Sequence, residues 1–230
     1  ILATDIVLTL TEYLRKQSVV GCILEFNGPG MASLSLADRA TVANMAPEFG
    51  ATAAMFPIDE RTLDYLRLTG REAAQIVLVE KYAKAQGLWA SDFENAKYDD
   101  QIEFNLSQIA RSLAGPSNPH QRIDLTAFQK QGIAKIDADL GADGKIPDGA
   151  VVIAAITSCT NSSNPRSLIA AGLLARRAVE RGLKSRPWVK TSFAPGSKAV
   201  QLYLESSGLM APLRALGFDI VGFGCTSCNG

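Results

Sequence analysis

Apolar positions in the first 16 residues recur at helical spacing. Ile6, Leu8, Leu10 and Leu14 supply the apolar side of a predicted amphipathic helix, Thr4–Lys16, with Thr4 as its cap. The run Val19–Phe26 is β-branched and apolar and predicts a buried strand, broken by Asn27-Gly28-Pro29-Gly30. Leu36–Ala46 predicts a helix that Pro47 ends or kinks. Two further helices follow, Asp59–Leu68 and Arg71–Gln86, the second stopped by Gly87. Gln101–Leu106 alternates like a strand.

From Gly115 to Gly149 the periodicity fades under Pro116, Pro119, Gly132, Gly141, Gly144 and Pro147, as expected of a linker. Beyond it the pattern is regular. Val151–Ile156 is a continuous apolar run, the mark of a strand buried on both faces. Pro165–Glu180 is a helix with Asn164 as cap and proline in its first turn. Trp188–Phe193 is a strand, Ser197–Glu205 and Ala211–Leu216 are helices, and Asp219–Phe223 is a third strand. This alternation implies parallel pairing through crossovers. The expectation is an α/β fold in two domains built from parallel βαβ units: 1–115, a linker 116–149, and 150–230. No internal repeat or low-complexity segment interrupts it.

Composition changes this picture little. The 230 residues carry 23 basic and 23 acidic side chains, so no basic footprint for nucleic acid is visible. No apolar run reaches the roughly 18 residues that would span a bilayer. The N-terminus, Ile1-Leu2-Ala3-Thr4-Asp5, has no initiator Met and no basic export signal. The expected location is the cytoplasm, and the start does not read as a natural chain start.

Four cysteines, Cys22, Cys159, Cys225 and Cys228, are few for a secreted disulfide scaffold of this length. Three of them lie in short motifs rich in Gly, Ser, Thr and Asn, which suits a metal site in a reducing compartment. Ser158-Cys159-Thr160-Asn161-Ser162-Ser163-Asn164-Pro165 follows the first predicted parallel strand, and Gly224-Cys225-Thr226-Ser227-Cys228-Asn229-Gly230 follows the third. Ligands of open α/β sheets bind beyond the carboxyl ends of the strands, where both motifs fall. Three thiolates are one fewer than a structural zinc or an ordinary cubane takes. On a four-iron cubane they leave one iron open, free to act as a Lewis acid. Taken alone, a cysteine such as Cys159 is more often a small buried residue in a turn than a ligand, and a lone C-x-x-C also serves zinc knuckles and redox pairs.

With Ala194-Pro195-Gly196-Ser197-Lys198 between them, these motifs resemble the signature of the aconitase superfamily. Upstream, the stretch from Asp38 to Ala54, including Asn44-Met45-Ala46-Pro47-Glu48-Phe49-Gly50, resembles the family too. The resemblance covers essentially the whole chain. It implies the second and part of the third of the family's four domains, so the chain is expected to be an internal segment with a truncated cluster-binding domain.

It also implies roles. Cys159, Cys225 and Cys228 match the ligands of a [4Fe–4S] cluster with one iron not held by cysteine. Asn44 matches an asparagine beside the cluster, and Glu48 a glutamate facing the open iron's water and substrate. Asn44 and Glu48 are four apart, but Pro47 between them disrupts a shared helical face. Without the resemblance the pair reads as a solvated face near a helix end.

The implied activity is hydro-lyase chemistry on a small tricarboxylic hydroxy acid, with no membrane partner. The family's paired histidine, carboxylate-clamping arginines and C-terminal serine match nothing here. The segment alone is therefore expected to be inactive, and its exposed cluster prone to oxidative loss. Ala114–His120, Asn164-Pro165-Arg166 and Asn229 look more like the 2-methylcitrate dehydratase branch, which acts in propionate breakdown, than like aconitate hydratase. A binding role for a cluster-free form on messenger RNA finds no support in the balanced charge. His120 reads as a surface residue, Cys22 as a small core residue, and Asn27 as a turn residue tolerant of unusual backbone angles.

Overall fold

The computed structural model describes residues 1–128, 145–146 and 150–224. The chain divides into two compact units, Ala3–Arg122 and Ile123 onward. Both are α/β and both are built on parallel strand pairs, as expected from the sequence.

The first unit opens with α1 (Ala3–Lys16), one residue ahead of the expected cap at Thr4. Its buried side, Ala3, Val7, Leu10 and Leu14, follows helical spacing, and the last three pack with Val19, Val42, Ala46, Phe49 and Ala51. Two threonines share that side without orphaning their hydroxyls. Thr9 Oγ1 donates to the Asp5 carbonyl and Thr11 Oγ1 to that of Val7, both at 2.7 Å.

Strand β1 (Ile23–Glu25) pairs in parallel with β2 (Ala53–Met55), Ile23 opposite Ala53 and Glu25 opposite Met55. The crossover between them holds α2 (Leu36–Asn44) and α3 (Ala46–Phe49). Helix α2 starts on a capping box, with Asp38 N–H donating to Ser35 Oγ at 3.2 Å and Ser35 N–H to Asp38 Oδ2 at 3.1 Å. It stops at Asn44, and Pro47 then serves in the first turn of α3 rather than kinking one long helix.

The α4 (Glu60–Leu68) and α5 (Ala73–Ala85) helices follow. Buried Arg39, 1% exposed, ties α2 to the N-cap of α4: its Nη2 donates to Asp59 Oδ2 at 2.7 Å and to the Met31 carbonyl at 3.2 Å. Short strands β3 (Ser112–Ala114) and β4 (Arg122–Asp124) and helix α6 (Leu125–Phe128) complete the described part up to residue 128. Both β4 and α6 lie in the stretch expected to be a linker.

Several expectations are corrected. The strand expected over Val19–Phe26 keeps three residues, because Ser18 (φ 57°) and Gly21 (φ 81°) turn the backbone just before it. Cys22 follows that turn and is exposed, not a core residue. Gln101–Leu106 is not a strand. Phe104 instead lays its ring 5.0 Å from that of Tyr13 on α1, whose hydroxyl donates to the Glu103 carbonyl at 3.2 Å. In the turn at Asn27, the positive φ (92°) falls on Gly28, while Asn27 Nδ2 donates to the Tyr98 hydroxyl at 3.2 Å.

The second unit, which begins at Ile123 and so includes α6, holds β5 (Ile153–Thr157), α7 (Pro165–Glu180), β6 (Lys190–Ala194), α8 (Lys198–Ser206) and α9 (Met210–Ala215). β5 and β6 are parallel, with Ile153 opposite Lys190 and Thr157 opposite Ala194. The core gathers Phe193 of β6 with Ala175, Val200, Leu204, Leu209, Met210 and Leu213 from the helices and their joints. The expected third strand is reduced, among the described residues, to one parallel bridge between Phe193 and Ile220. Nor is the apolar run at β5 buried on both faces: Val151, Val152 and Ile153 are 56, 45 and 65% exposed. Helices cover the side of Ala154 and Ile156 alone, so the continuous apolar pattern marks a face that nothing in the described residues covers.

Candidate metal centre

Ser158 and Cys159 come directly off the carboxyl end of β5. The loop turns back on itself at once. Ser163 N–H donates to the Cys159 carbonyl at 2.8 Å and Asn164 N–H to the Ser162 carbonyl at 2.7 Å. Asn164, 2% exposed, then caps α7 by accepting from Arg166 N–H at 3.0 Å. Strand end and helix start therefore hold the cysteine loop at both sides. Cys159 is half-buried, and its Sγ lies 3.2 Å from Ser162 Oγ.

Against this loop sits the turn after β6. A Cβ on Gly196 would lie 2.4 Å from Thr160 N, 2.5 Å from Cys159 C and 2.6 Å from Thr160 Cα. Only a residue without a side chain lets the two backbones approach so closely. Thr160 Oγ1 adds a hydrogen bond of 2.9 Å to the Gly196 carbonyl. Gly224 N–H donates to the Pro195 carbonyl at 2.9 Å, drawing in the segment that follows Ile220. Three stretches far apart in sequence thus meet at the carboxyl ends of parallel strands. Ser197 Oγ is buried beside this junction in sequence and finds no hydrogen-bond partner among the described residues.

Cys225 and Cys228 follow Gly224 directly but lie outside the described residues. Among the described residues no three His, Cys, Asp or Glu side chains cluster as a metal site. No helix of the described residues is long and apolar enough to cross a membrane.

Asn44 and Glu48 belong to the first unit. Asn44 ends α2 and is half-buried. Glu48 sits on α3, with its N–H bonded to the Met45 carbonyl at 3.0 Å. The break at Met45 puts the two on successive short helices rather than on one face of a single helix. Glu48 Oε2 is buried and accepts no hydrogen bond among the described residues. Gly50, at φ 94°, ends α3 in the left-handed conformation behind it. These two residues stand at the end of the crossover that enters β2, not at a strand's carboxyl end. The positional rule for α/β sheets therefore carries no signal for them. His120 is half-buried in the loop between β3 and β4, away from the cysteine motifs in sequence.

A family model described as the aconitase family (aconitate hydratase) matches residues 1–230. The chain belongs to the aconitase family. It is 61% identical over 234 residues to the aconitate hydratase A of Cupriavidus necator, covering all of this chain and 27% of that protein. It is equally 61% identical over 231 residues to a 2-methylcitrate dehydratase (2-methyl-trans-aconitate forming) of Shewanella oneidensis, again covering all of this chain and 26% of the relative. A phosphinomethylmalate isomerase of Streptomyces viridochromogenes is 54% identical over 243 residues, 99% of this chain and 27% of its own length. The chain thus spans about a quarter of the length of these aconitase-family relatives.

Among the described residues, Cys159 fits as one ligand of the iron–sulfur group that this family implies. A soft thiol emerges half-buried from a strand end with a hydroxyl against its sulfur, in a loop whose path is set by contact with Gly196. Reading the motif alone missed the steric part of Gly196 and the contact of Ser162. The Pro195-Gly196-Ser197 turn at a strand's end was the available signal for the first.

Proposed function

We propose that these residues are part of a [4Fe–4S] hydro-lyase that dehydrates and rehydrates a tricarboxylic hydroxy acid. The observation that carries this reading is the Cys159 loop, packed backbone to backbone on Gly196 at the carboxyl ends of β5 and β6. In this proposal Cys159, Cys225 and Cys228 hold the cluster, and one iron has no cysteine ligand. Bound there, the cluster supplies a Lewis acid that polarises the departing hydroxyl of the substrate.

The chain's own residues do the rest of the work assigned to this segment. The turn from Cys159 to Asn164 holds the thiolate at a fixed place on the rim of the sheet, and Asn164 anchors that turn to α7. Glu48 brings a buried carboxylate oxygen with unused acceptor capacity, suited to take a hydrogen bond from water or from a substrate hydroxyl. Asn44, one residue ahead of the helix break, is assigned a place beside the cluster on the resemblance alone. The proton abstraction and the carboxylate clamps of the full reaction are assigned to residues other than these.

The substrate proposed is 2-methylcitrate, on the resemblance at Ala114–His120, Asn164-Pro165-Arg166 and Asn229. Citrate–isocitrate interconversion is the second reading. Equal identity to relatives of both names leaves the decision to turnover. The test compares kcat/KM for 2-methylcitrate and citrate in the complete natural polypeptide carrying these residues. A preference for 2-methylcitrate supports the first reading, a preference for citrate the second, and no turnover of either refutes both.

A further inference from the structure

Ser162 stands three residues beyond Cys159 in a turn closed by the Ser163 N–H to Cys159 carbonyl bond of 2.8 Å. That closure folds Ser162 back so that its Oγ lies 3.2 Å from Cys159 Sγ. Two neighbouring polar side chains have other work. Thr160 directs its hydroxyl to the Gly196 carbonyl, and Asn164 offers Oδ1 to Arg166 N–H. With the sulfur protonated, either atom of the Ser162–Cys159 contact can donate. A thiolate bound to iron has no proton, so there the hydroxyl is the donor and the sulfur the acceptor.

A hydrogen bond to a ligating sulfur draws electron density off the metal–sulfur unit. It favours the more negative, reduced state, so it raises the reduction potential. We infer that Ser162 is a positioning and tuning residue, whose hydroxyl donates to the Cys159 thiolate and raises the potential of the cluster that thiolate holds. This inference rests on the proposed ligand role of Cys159.

The test uses the complete natural polypeptide carrying these residues, reconstituted anaerobically with iron and sulfide. One-electron reduction by dithionite is followed by EPR to give a midpoint potential. Cys159→Ala is measured first. Loss of the cluster in that variant upholds the ligand reading; a wild-type protein that takes no cluster, or a Cys159→Ala cluster with unchanged spectra, overturns that reading and the inference with it.

With the ligand reading upheld, Ser162→Ala is expected to assemble a cluster with a lower midpoint potential, and Ser162→Thr to restore the wild-type value. An unchanged potential in Ser162→Ala overturns the inference alone. Should Ser162→Ala and Ser162→Gly both fail to assemble a cluster while Ser162→Thr succeeds, the hydroxyl is required and the contact stands. Failure of Ser162→Thr as well shows that space rather than the hydroxyl decides, and the inference falls.

Discussion

Replacing Gly196 by alanine tests the junction on which the candidate site is built. The added Cβ would sit 2.4 to 2.6 Å from Thr160 N, Cys159 C and Thr160 Cα. Ordinary contact needs about 3.5 Å, so the loops must separate by about 1 Å. All three obstructing atoms are backbone, and no rotamer change can relieve them. Separation also stretches the Thr160 hydroxyl bond to the Gly196 carbonyl, now 2.9 Å. Overpacking of this kind costs about 1 to 3 kcal/mol, and a backbone-on-backbone clash belongs at the upper end. With an m-value of about 2 kcal/mol/M, a loss of about 3 kcal/mol lowers the urea midpoint by about 1.5 M. Gly222→Ala is the control, since a Cβ there meets nothing within 4 Å. A Gly196→Ala protein within about 0.5 kcal/mol of the control would refute the claim that this contact sets the cysteine loop.

Three other outcomes follow from the same contacts. Asp59→Ala removes the partner of buried Arg39 and the cap of α4 together, and should cost about 3 kcal/mol in thermal unfolding; a loss under about 1 kcal/mol would contradict the tie between α2 and α4. Burial pushes the Tyr203 hydroxyl up to about 12, and that hydroxyl has no hydrogen-bond partner among the described residues. Tyr203→Phe should therefore be neutral or stabilising by up to about 1 kcal/mol, and a clear destabilisation would reveal a partner. At Glu12, burial raises the carboxyl, but hydrogen bonds from Lys16 and Arg122 outweigh it and hold the group below its ordinary value. Its stabilisation is thus present above the ordinary carboxylate range and lost as pH falls through the depressed value; Glu12→Gln should flatten the acid limb of a stability–pH curve, and an unchanged limb would contradict the pairing.

The strongest sequence signals were those in which local chemistry and tertiary packing agree. Asn164-Pro165 starts α7 because the amide caps and the proline needs no partner for its missing N–H. The strand–helix–strand alternation from β5 to α8 was legible for the same reason. Failures came where a pattern lacked a partner. Gln101–Leu106 alternates, yet it finds no partner strand among the described residues and instead lays Phe104 on Tyr13 and the core of the first unit. Val151–Ile153 is apolar on both faces, yet all three side chains are exposed among the described residues. At Val19–Phe26 the β-branched run outweighed Gly21, whose positive φ turns the chain away first.

The candidate site divides in the same way. Cys159 could be placed at a strand's carboxyl end from its motif, because strand and loop chemistry both point there. Gly196 needed the fold to show what its missing side chain permits. Asn44 and Glu48 have no positional signature at all; the break at Met45, with Pro47 in the first turn of α3, puts them on successive helices.

The most direct test of the central claim is anaerobic reconstitution of the complete natural polypeptide with iron and sulfide, read by optical and EPR spectra, with Cys159→Ala alongside. The account predicts a cubane cluster that mild oxidation converts to a three-iron form, as three thiolate ligands require, and its loss in the variant. A cluster that ignores the loss of Cys159, or one that resists conversion, would contradict it.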